Sequence, residues 1–340
     1  MDQLEQDVYA RQSILRTEHA QPEKLLPDSI HELLILRARN ALSERRSRLA
    51  ELLARQILRF NSESLDGMEL LASAFSQLGR IQSAIEVRAQ IRKRLKDPRN
   101  LLELGQLYGE IGSHEQELMY LELSIEACDE VIDTSQEWTQ QLIRETEQCK
   151  FNALKAIGNL FVKKGDFDAA DEYYHRAFRI DPQSDVLMVN RGTLEISRDR
   201  LDEAKELFRA ALTLNGTNAK AWVGLALVHR SYGDHELSFG NLNKALDLEP
   251  GNRTAIRILV EWAVRDGAIR MACERLEKYL QVDPEDVEVA FSLSKLKVLL
   301  GELADAIFEC ERVLAFDPFN EEATRLRKVL AEKILEEQSL

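Results

Sequence analysis

The feature that most constrains this chain is a helix-stopping dipeptide that recurs with a period of 34 residues. It stands at Asp181-Pro182, Glu249-Pro250, Asp283-Pro284 and Asp317-Pro318, and Asn215-Gly216 occupies the place of the missing copy. Proline lacks the amide proton that a continuing helix needs, so each dipeptide predicts a helix end. The period defines five equal units, at 151–184, 185–218, 219–252, 253–286 and 287–320. Periods of this size are typical of stacked helical hairpins.

Composition agrees with an all-helical chain and excludes several classes of protein. Only 15 of the 340 residues are Gly and 7 are Pro, mostly at unit junctions. The formal net charge of −14 argues against nucleic acid and anionic membrane as main partners. No apolar run is long enough to insert into a membrane, and the start of the chain, Met1-Asp2-Gln3-Leu4-Glu5, does not resemble a signal peptide. We therefore expect a cytoplasmic protein.

Weaker units precede the regular ones. The 34-residue frame places degenerate copies at 31–64, 65–98 and 98–131, and it breaks over the 19 residues Ile132 to Lys150. This break reads as an extension of two helices, with Thr134 or Ser135 as cap and Trp138, Leu142 and Ile143 at helical spacing. The predicted organisation is a tail or short helix at 1–28, degenerate units at 29–131, an acidic helical insertion at 132–150, regular units at 151–320 and a capping helix at 321–340.

The unit 151–184 shows why the positions of the repeat are occupied as they are. Small residues at unit positions 8 and 20 let two antiparallel helices approach closely, and large apolar residues fill the space around the crossing. Positions 4, 7, 8, 11, 20, 24, 27 and 32 hold Leu154, Ile157, Gly158, Phe161, Ala170, Tyr174, Ala177 and Pro182. In all eight positions the unit resembles the tetratricopeptide repeat. This resemblance implies an all-α fold, an α-solenoid superhelix of antiparallel helix pairs with about eight units and a C-terminal capping helix.

Three residues depart from that pattern. Arg191 and Glu195 stand at the usually apolar positions 7 and 11 of their unit, and His229 stands at position 11 of the next. We expect weaker packing around Arg191 and a packed histidine at 229.

The four cysteines show no paired or metal-ligand spacing. Cys273 and Cys310 fall at positions where small residues pack helices. Cys128 and Cys149 flank a turn predicted near Asp133, Thr134 and Ser135, at unequal distances along the chain. With a rise of about 1.5 Å per residue, this places them well over 10 Å apart. A disulfide between them is therefore not expected.

Nothing in the sequence points to catalysis. The six histidines form no ligand-spaced pair, and motifs for zinc, nucleotide or nucleophilic chemistry are absent. Six glycines fall at unit position 15, where a residue ends the first helix of each hairpin: Gly79, Gly112, Gly165, Gly233, Gly267 and Gly301. We predict a chain that is not an enzyme, with no cofactor and no metal.

The resemblance to tetratricopeptide repeats also implies a groove lined by the first helix of each unit. The positions that would face this groove carry seven basic and two acidic residues in the regular half of the chain. A basic groove suits an acidic peptide segment. The predicted peptide-binding residues are Lys155, Asn159, Asn190, Lys220, Arg230, Arg257 and Lys295.

Four of these residues are similar to the carboxylate clamp of co-chaperones, which holds the C-terminal carboxylate of a partner. Lys155, Asn159, Asn190 and Lys220 match its lysines and asparagines, which supply charge and fixed hydrogen bonds. Gly224 replaces the expected fifth residue, an arginine. Arg230 or Arg257 would then have to supply the missing charge.

The sequence therefore predicts a scaffold or adaptor that binds an extended or helical, acidic segment of another protein. One alternative is a structural module that self-associates into a homo-oligomer. It would join the arginine-rich first hairpin to the acidic segment 115–147, which holds ten acidic residues and only Arg144 as a base. Another alternative is a co-chaperone-like binder of C-terminal carboxylates. We expect neither nucleic-acid binding nor membrane insertion.

Overall fold

The computed structural model describes residues 28–134 and 139–338, and every regular element in these two ranges is an α-helix. The chain divides into two compact units, the first ending at Lys164 and the second beginning at Gly165. The division falls inside the repeat 151–184, at the turn between its two helices. Within the described ranges, no helix is long and apolar enough to cross a membrane.

The first unit contains seven described helices. Each helix packs against the next along the chain, and the first helices of neighbouring hairpins also contact one another at the start and at the end of the unit. The seven are α1 (Asp28–Ser43), α2 (Ser47–Phe60), α3 (Leu65–Gln77), α4 (Ile81–Arg94), α5 (Pro98–Glu110), α6 (His114–Thr134) and α7 (Gln140–Lys164). Their core is apolar and includes Ile57, Phe75, Leu104 and Tyr120.

The second unit continues the same pattern from Gly165. Its described helices are α8 (Phe167–Ile180), α9 (Asp185–Ser197), α10 (Leu201–Leu214), α11 (Ala219–Ser231), α12 (His235–Leu248), α13 (Arg253–Asp266), α14 (Ile269–Val282), α15 (Val287–Leu299), α16 (Leu303–Phe316) and α17 (Glu321–Gln338). The last helix packs on α16 through Leu330, beside Leu303 and Ala306.

The turn within each hairpin needs a left-handed residue, and this residue marks the register of the repeat. The six glycines predicted to end first helices all have positive φ, between 71° and 78°. Glycine reaches this conformation without the steric cost that a Cβ brings. Arg45 and Asp199 take the same place in the units 31–64 and 185–218, with φ of 56° and 59°. The only wider interval between these described turns, from Gly112 to Gly165, contains the insertion.

Small residues at unit position 20 are fully buried, as the close approach of two helices requires. The side chains concerned are Ala50, Ala84, Ala170, Ala204, Ser238, Ala272 and Ala306, each 0% exposed. Cys273 and Cys310 are also buried, and they act as small packing residues.

The insertion lengthens two helices. α6 continues through Thr134 and α7 begins at Gln140, where the hydroxyl of Thr139 accepts a hydrogen bond from the Leu142 amide at 3.1 Å. The cap is therefore Thr139, and Thr134 belongs to the preceding helix. The predictions for residues 1–27, Ser135 and Trp138 lie outside the described residues.

The expectation that Cys128 and Cys149 lie more than 10 Å apart is wrong. The two buried thiols are hydrogen-bonded to each other. The error came from placing the turn near residue 134, whereas α6 extends to that residue. Cys128 lies six residues before the end of α6 and Cys149 nine residues after the start of α7. This axial offset is only about 4.5 Å, which side chains can span.

Two of the three polar departures from the repeat pattern, Arg191 and Glu195, contact partners close by. The guanidinium of Arg191 lies 5.7 Å from the ring centroid of Phe178, and Glu195 accepts a hydrogen bond from Arg198 at 3.2 Å. His229 is half-buried, and this burial lowers its pKa. These contacts let charged residues stand at positions that are usually apolar.

Candidate first-helix groove

A series of capping residues starts the first helices of the second unit. Each side-chain oxygen accepts a hydrogen bond from the amide three residues later, at 3.0 to 3.2 Å. The caps recur with the period of the repeat, at Ser184, Asn218, Asn252, Asp286 and Asn320. Such caps satisfy amides that have no partner inside the helix, and they fix where the helix begins. The exposed residues of the first turn are thereby held in place.

The clearest groove on these helices lies between α13 and α15, with a volume of about 480 Å³. Its lining combines apolar side chains, Ile256, Val260 and Phe291, with the cations Arg253 and Arg257. An apolar surface with cations beside it can hold an amphipathic segment that carries acidic side chains.

A buried acid supports one edge of this groove. The carboxylate of Asp286, 2% exposed, accepts hydrogen bonds from the Tyr279 hydroxyl at 2.8 Å and from Arg253 at 2.8–2.9 Å. Burial raises the pKa of Asp286, but the hydrogen bonds from Tyr279, Arg253 and a backbone amide hold the pKa below the ordinary value of an aspartate. Because Arg253 also pairs with Glu288, its charge is largely used within the protein.

The seven predicted binding residues are divided between the two units. Lys155 and Asn159 lie on α7 in the first unit, and the other five lie on first helices of the second: Asn190 on α9, Lys220 and Arg230 on α11, Arg257 on α13 and Lys295 on α15. Lys155 donates to the side chain of Asn152 at 3.3 Å and lies 5.3 Å from the ring centroid of Phe151.

Arg230 is held inside the second unit. Its side chain is 13% exposed, pairs with both carboxylate oxygens of Asp266 and lies 5.0 Å from the ring centroid of Trp262. Hydrogen bonds from Arg230 and His235 hold the pKa of Asp266 well below its usual range. The charge of Arg230 is therefore balanced by a neighbour.

Lys220 and Arg257 differ from Arg230. Both side chains are exposed, and neither makes an ion pair with any described residue. Lys295 is intermediate, because its ammonium lies 4.0 Å from the ring centroid of Phe291 and 3.7 Å from Glu322. Of the predicted basic residues in the second unit, Lys220 and Arg257 thus keep their charge available to a partner.

Gly224 cannot be replaced by the arginine of a carboxylate clamp without rearrangement. A Cβ at Gly224 would lie 2.3 Å from Cε1 of Phe208, a side chain that is only 1% exposed. This position serves helix packing.

The apolar floor of the groove was not part of the predicted site. Its apolar side chains, Ile256, Val260 and Phe291, are not among the seven predicted binding residues. Arg253 and Arg257 are exposed and Val260 and Phe291 are half-buried, and all four lie on two adjacent first helices. In the described ranges no group of three or more His, Cys, Asp or Glu side chains is placed to hold a metal.

Comparison with known proteins decides the family. The model of the tetratricopeptide repeat family matches residues 155–219 and 189–253. Residues 155–253 form tetratricopeptide repeats. The eight left-handed turns and the caps of the second unit follow the same period, so the repeat extends beyond the matched residues.

Several curated proteins are similar to part of this chain. Human "Protein O-mannosyl-transferase TMTC3" is 29% identical over 133 residues, covering 38% of this chain and 14% of that protein. "Protein CTR9 homolog" of Arabidopsis thaliana is 29% identical over 132 residues, covering 38% of this chain and 12% of that protein. The "Cell division cycle protein 27 homolog" of Caenorhabditis elegans is 33% identical over 101 residues, covering 30% of this chain and 13% of that protein. The chain therefore spans less than a fifth of these relatives.

Solved structures confirm the fold class. Pseudomonas aeruginosa pilF matches with a TM-score of 0.51 at 15% identity, covering 69% of this chain and 98% of the other. A tetratricopeptide repeat protein from Parabacteroides merdae matches with a TM-score of 0.51 at 14% identity, covering 88% and 98%. The fold is an all-α solenoid of antiparallel helix pairs, and its repeats form a protein-interaction scaffold.

Proposed function

We propose that the scaffold captures an extended or helical segment of a partner protein on the first helices of its second unit, and that this segment is acidic. The observation that carries the proposal is the groove between α13 and α15, where Arg257 lies beside Val260 and Phe291 and makes no ion pair within the described part of the chain. Lys220 on α11 adds a second cation without an ion pair among the described side chains.

The relatives agree with a role in assembly. One of them is by name a subunit of a complex, "Anaphase-promoting complex subunit 3" of Schizosaccharomyces pombe, at 22% identity over 162 residues. Its name supports a scaffold that joins other proteins. The acidic character of the bound segment is supported by the groove and not by the relatives. Location in the cytoplasm and the lack of catalysis remain predictions.

Charge reversal at the two unpaired cations tests the proposal. Lys220→Glu with Arg257→Glu should weaken binding of a fluorescent peptide, built from alternating Glu and Leu, by about tenfold or more, because attraction becomes repulsion. Fluorescence anisotropy gives the affinity, and circular dichroism checks that the helices persist.

Lys244→Glu with Lys278→Glu is the matched control. Both lysines are exposed on second helices, α12 and α14, so the net charge changes equally and the groove does not. Equal weakening by both double variants, or equal binding of a Lys-Leu peptide by the unaltered chain, would contradict the proposal. Amidation of the peptide C-terminus separates the clamp alternative, since only a carboxylate clamp requires a free terminus.

Self-association is a second candidate function, favoured by the surface of the first hairpin. Leu33, Leu36 and Leu52 are each more than half exposed there, beside arginines that make no ion pair with described residues: Arg37, Arg48 and Arg59. Exposed apolar side chains beside cations are suited to an interface between copies.

Light scattering over a range of protein and salt concentrations tests this association. We expect an oligomer that Leu36→Ser with Leu52→Ser dissociates, because apolar contact area is lost. A monomer at every concentration and ionic strength would remove the candidate.

A further inference from the structure

The two buried cysteines of the first unit, brought together by the lengthened hairpin, have no role in helix capping or in the groove of the second unit. Cys128 on α6 and Cys149 on α7 are 0% and 5% exposed, and their thiols are hydrogen-bonded to each other. Two thiols in contact need only a small movement to reach the sulfur–sulfur bond length of about 2.05 Å. We propose that Cys128 and Cys149 form a reversible thiol–disulfide site that reacts with small peroxides and cross-links α6 to α7.

Access to this pair is provided from one side. Cys149 borders a groove of about 440 Å³ lined by residues of α3, α5 and α7, including Arg99, Glu145 and Thr146. Hydrogen peroxide is small enough to enter such a groove, and Cys128, which is 0% exposed, does not line it. The geometry therefore assigns the attacking thiol to Cys149 and the resolving thiol to Cys128.

The surroundings of the pair favour the same assignment. The hydrogen bond between the two thiols lowers the pKa of Cys149 below its ordinary value, against the opposing effect of burial, and it raises the pKa of Cys128. The Ser124 hydroxyl lies 3.6 Å from Sγ of Cys149 and donates to the Pro98 carbonyl at 2.8 Å. Rotation of this hydroxyl would supply a further hydrogen bond to a thiolate. A thiolate is the form of cysteine that attacks a peroxide.

The reaction proceeds in two steps that balance. The Cys149 thiolate attacks one peroxide oxygen, the O–O bond breaks, and the leaving hydroxide takes a proton to form water. Cys149 then carries a sulfenic acid. The sulfur of Cys128 attacks the sulfur of Cys149, the S–O bond breaks, and the second water leaves with the proton of Cys128. Two thiols are oxidised by two electrons and one peroxide is reduced to two waters.

Thiol mapping of the full chain tests the proposal. The reduced protein is treated with hydrogen peroxide, denatured, alkylated with N-ethylmaleimide and digested with trypsin. Residues 145–150 carry Cys149, and residues 100–144 carry Cys128, on separate tryptic peptides. We expect these two peptides to be joined by a disulfide that dithiothreitol reverses. The thiol count should fall from four to two, with Cys273 and Cys310 alkylated.

Single variants assign the two roles. Cys128→Ser should leave a sulfenic acid at Cys149 that reacts with dimedone, and Cys149→Ser should leave Cys128 as a thiol. Cys273→Ser is the matched control and should form the same disulfide. Retention of all four thiols in the folded, unaltered chain, under peroxide exposure that oxidises glutathione, would overturn the proposal. So would disulfides that join only separate chains, and neither result depends on the folding of a variant.

Discussion

At the scale of single residues, Phe208 explains why position 224 serves helix packing rather than partner binding. Its ring is 1% exposed and lies against two glycines on neighbouring first helices, Gly192 on α9 and Gly224 on α11. A Cβ at Gly192 would lie 2.8 Å from the ring, and one at Gly224 only 2.3 Å. Phe208 occupies the space into which a larger residue at 224 would have to fit.

Replacement of Gly224 by alanine should therefore destabilise the second unit. We expect Gly224→Ala to lower the free energy of unfolding by about 1–3 kcal/mol, because overpacking forces Phe208 from its position. Urea denaturation followed by circular dichroism measures the change. Gly240→Ala is the matched control, since Gly240 is an exposed glycine within α12 with no atom near its missing Cβ. A gain of about 0.5–1 kcal/mol is expected there. Equal effects of the two changes would refute the packing account.

Two arginines of the predicted site also differ at this scale. Arg230 and Arg257 both lie on first helices, but the charge of Arg230 is taken up by Asp266 while Arg257 stays exposed. An arginine that is already paired gains little from a partner's carboxylate, because its existing ion pair must be broken first. Arg257 is therefore the better candidate for recognition.

At the scale of helices, a single cap at each repeat junction determines where the first helix starts. The side-chain oxygen of Asn218 accepts a hydrogen bond from the backbone amide of Ala221 at 3.1 Å. The side-chain NH2 group of Asn218 donates to the carboxylate of Asp185 on the preceding first helix at 2.8 Å. The cap thus joins two helices as well as starting one.

Loss of one cap should reduce stability by a predictable amount. We expect Asn252→Ala to lower the free energy of unfolding by about 1 kcal/mol, because the Ala255 amide loses its acceptor at 3.0 Å. Asn252→Ser, which keeps an acceptor, should stay close to the unaltered protein in the same urea experiment. A serine variant that loses as much as alanine would show that the side-chain hydrogen bond is not responsible.

Several acidic side chains on α6 and α7 form ion pairs with basic residues of the same unit. Glu130 pairs with Lys96 at 2.6 Å, Asp129 pairs with Lys150, and Glu145 pairs with Arg99. Several acids of segment 115–147 are thereby neutralised within the unit. An interface that relies on this segment has less unpaired charge than the sequence indicates.

At the scale of the whole molecule, a formal charge of −14 coexists with carboxylates that are stabilised in the folded state. Burial raises the pKa of Asp185, but hydrogen bonds from Asn218 and Asn215 hold the pKa below its ordinary value. Hydrogen bonds from Arg275 to Asp247 and from Lys297 to Glu302 lower the pKa of those acids as well. Asp286 belongs to the same group.

These depressed pKa values predict how stability depends on pH. The stabilisation that these carboxylates contribute to the folded state is complete at pH values above the ordinary carboxyl pKa of about 4. It is lost as the pH falls through their lower folded-state pKa values. We expect the thermal midpoint to stay nearly constant from about pH 8 to about pH 5 and to fall below about pH 4. Differential scanning calorimetry measures it, and Asp286→Asn should give a shallower decline. A midpoint that rises on acidification would contradict the assignment.

The repeat, the helical class and the positions of the hairpin turns follow from the sequence alone, because they rest on local rules. Pro182 and Gly233 act through the backbone of their own segment, and a period of such residues needs no knowledge of distant contacts. The family resemblance and the all-α solenoid were predicted in this way and are confirmed. The caps at Asn218 and Asn252 follow the same local rule and were overlooked.

Contacts between helices were decided only by the tertiary structure. From the sequence alone, Arg230 and Arg257 are equivalent candidates for binding a partner. Only the packing of the helices shows that Arg230 forms an ion pair with Asp266, 36 residues further along the chain. The sequence also predicts that Cys128 and Cys149 lie far apart, whereas the extended helix α6 brings their thiols together. The physical reason is that pairing, burial and register depend on where a second helix lies, and a small shift of a turn changes every contact along it.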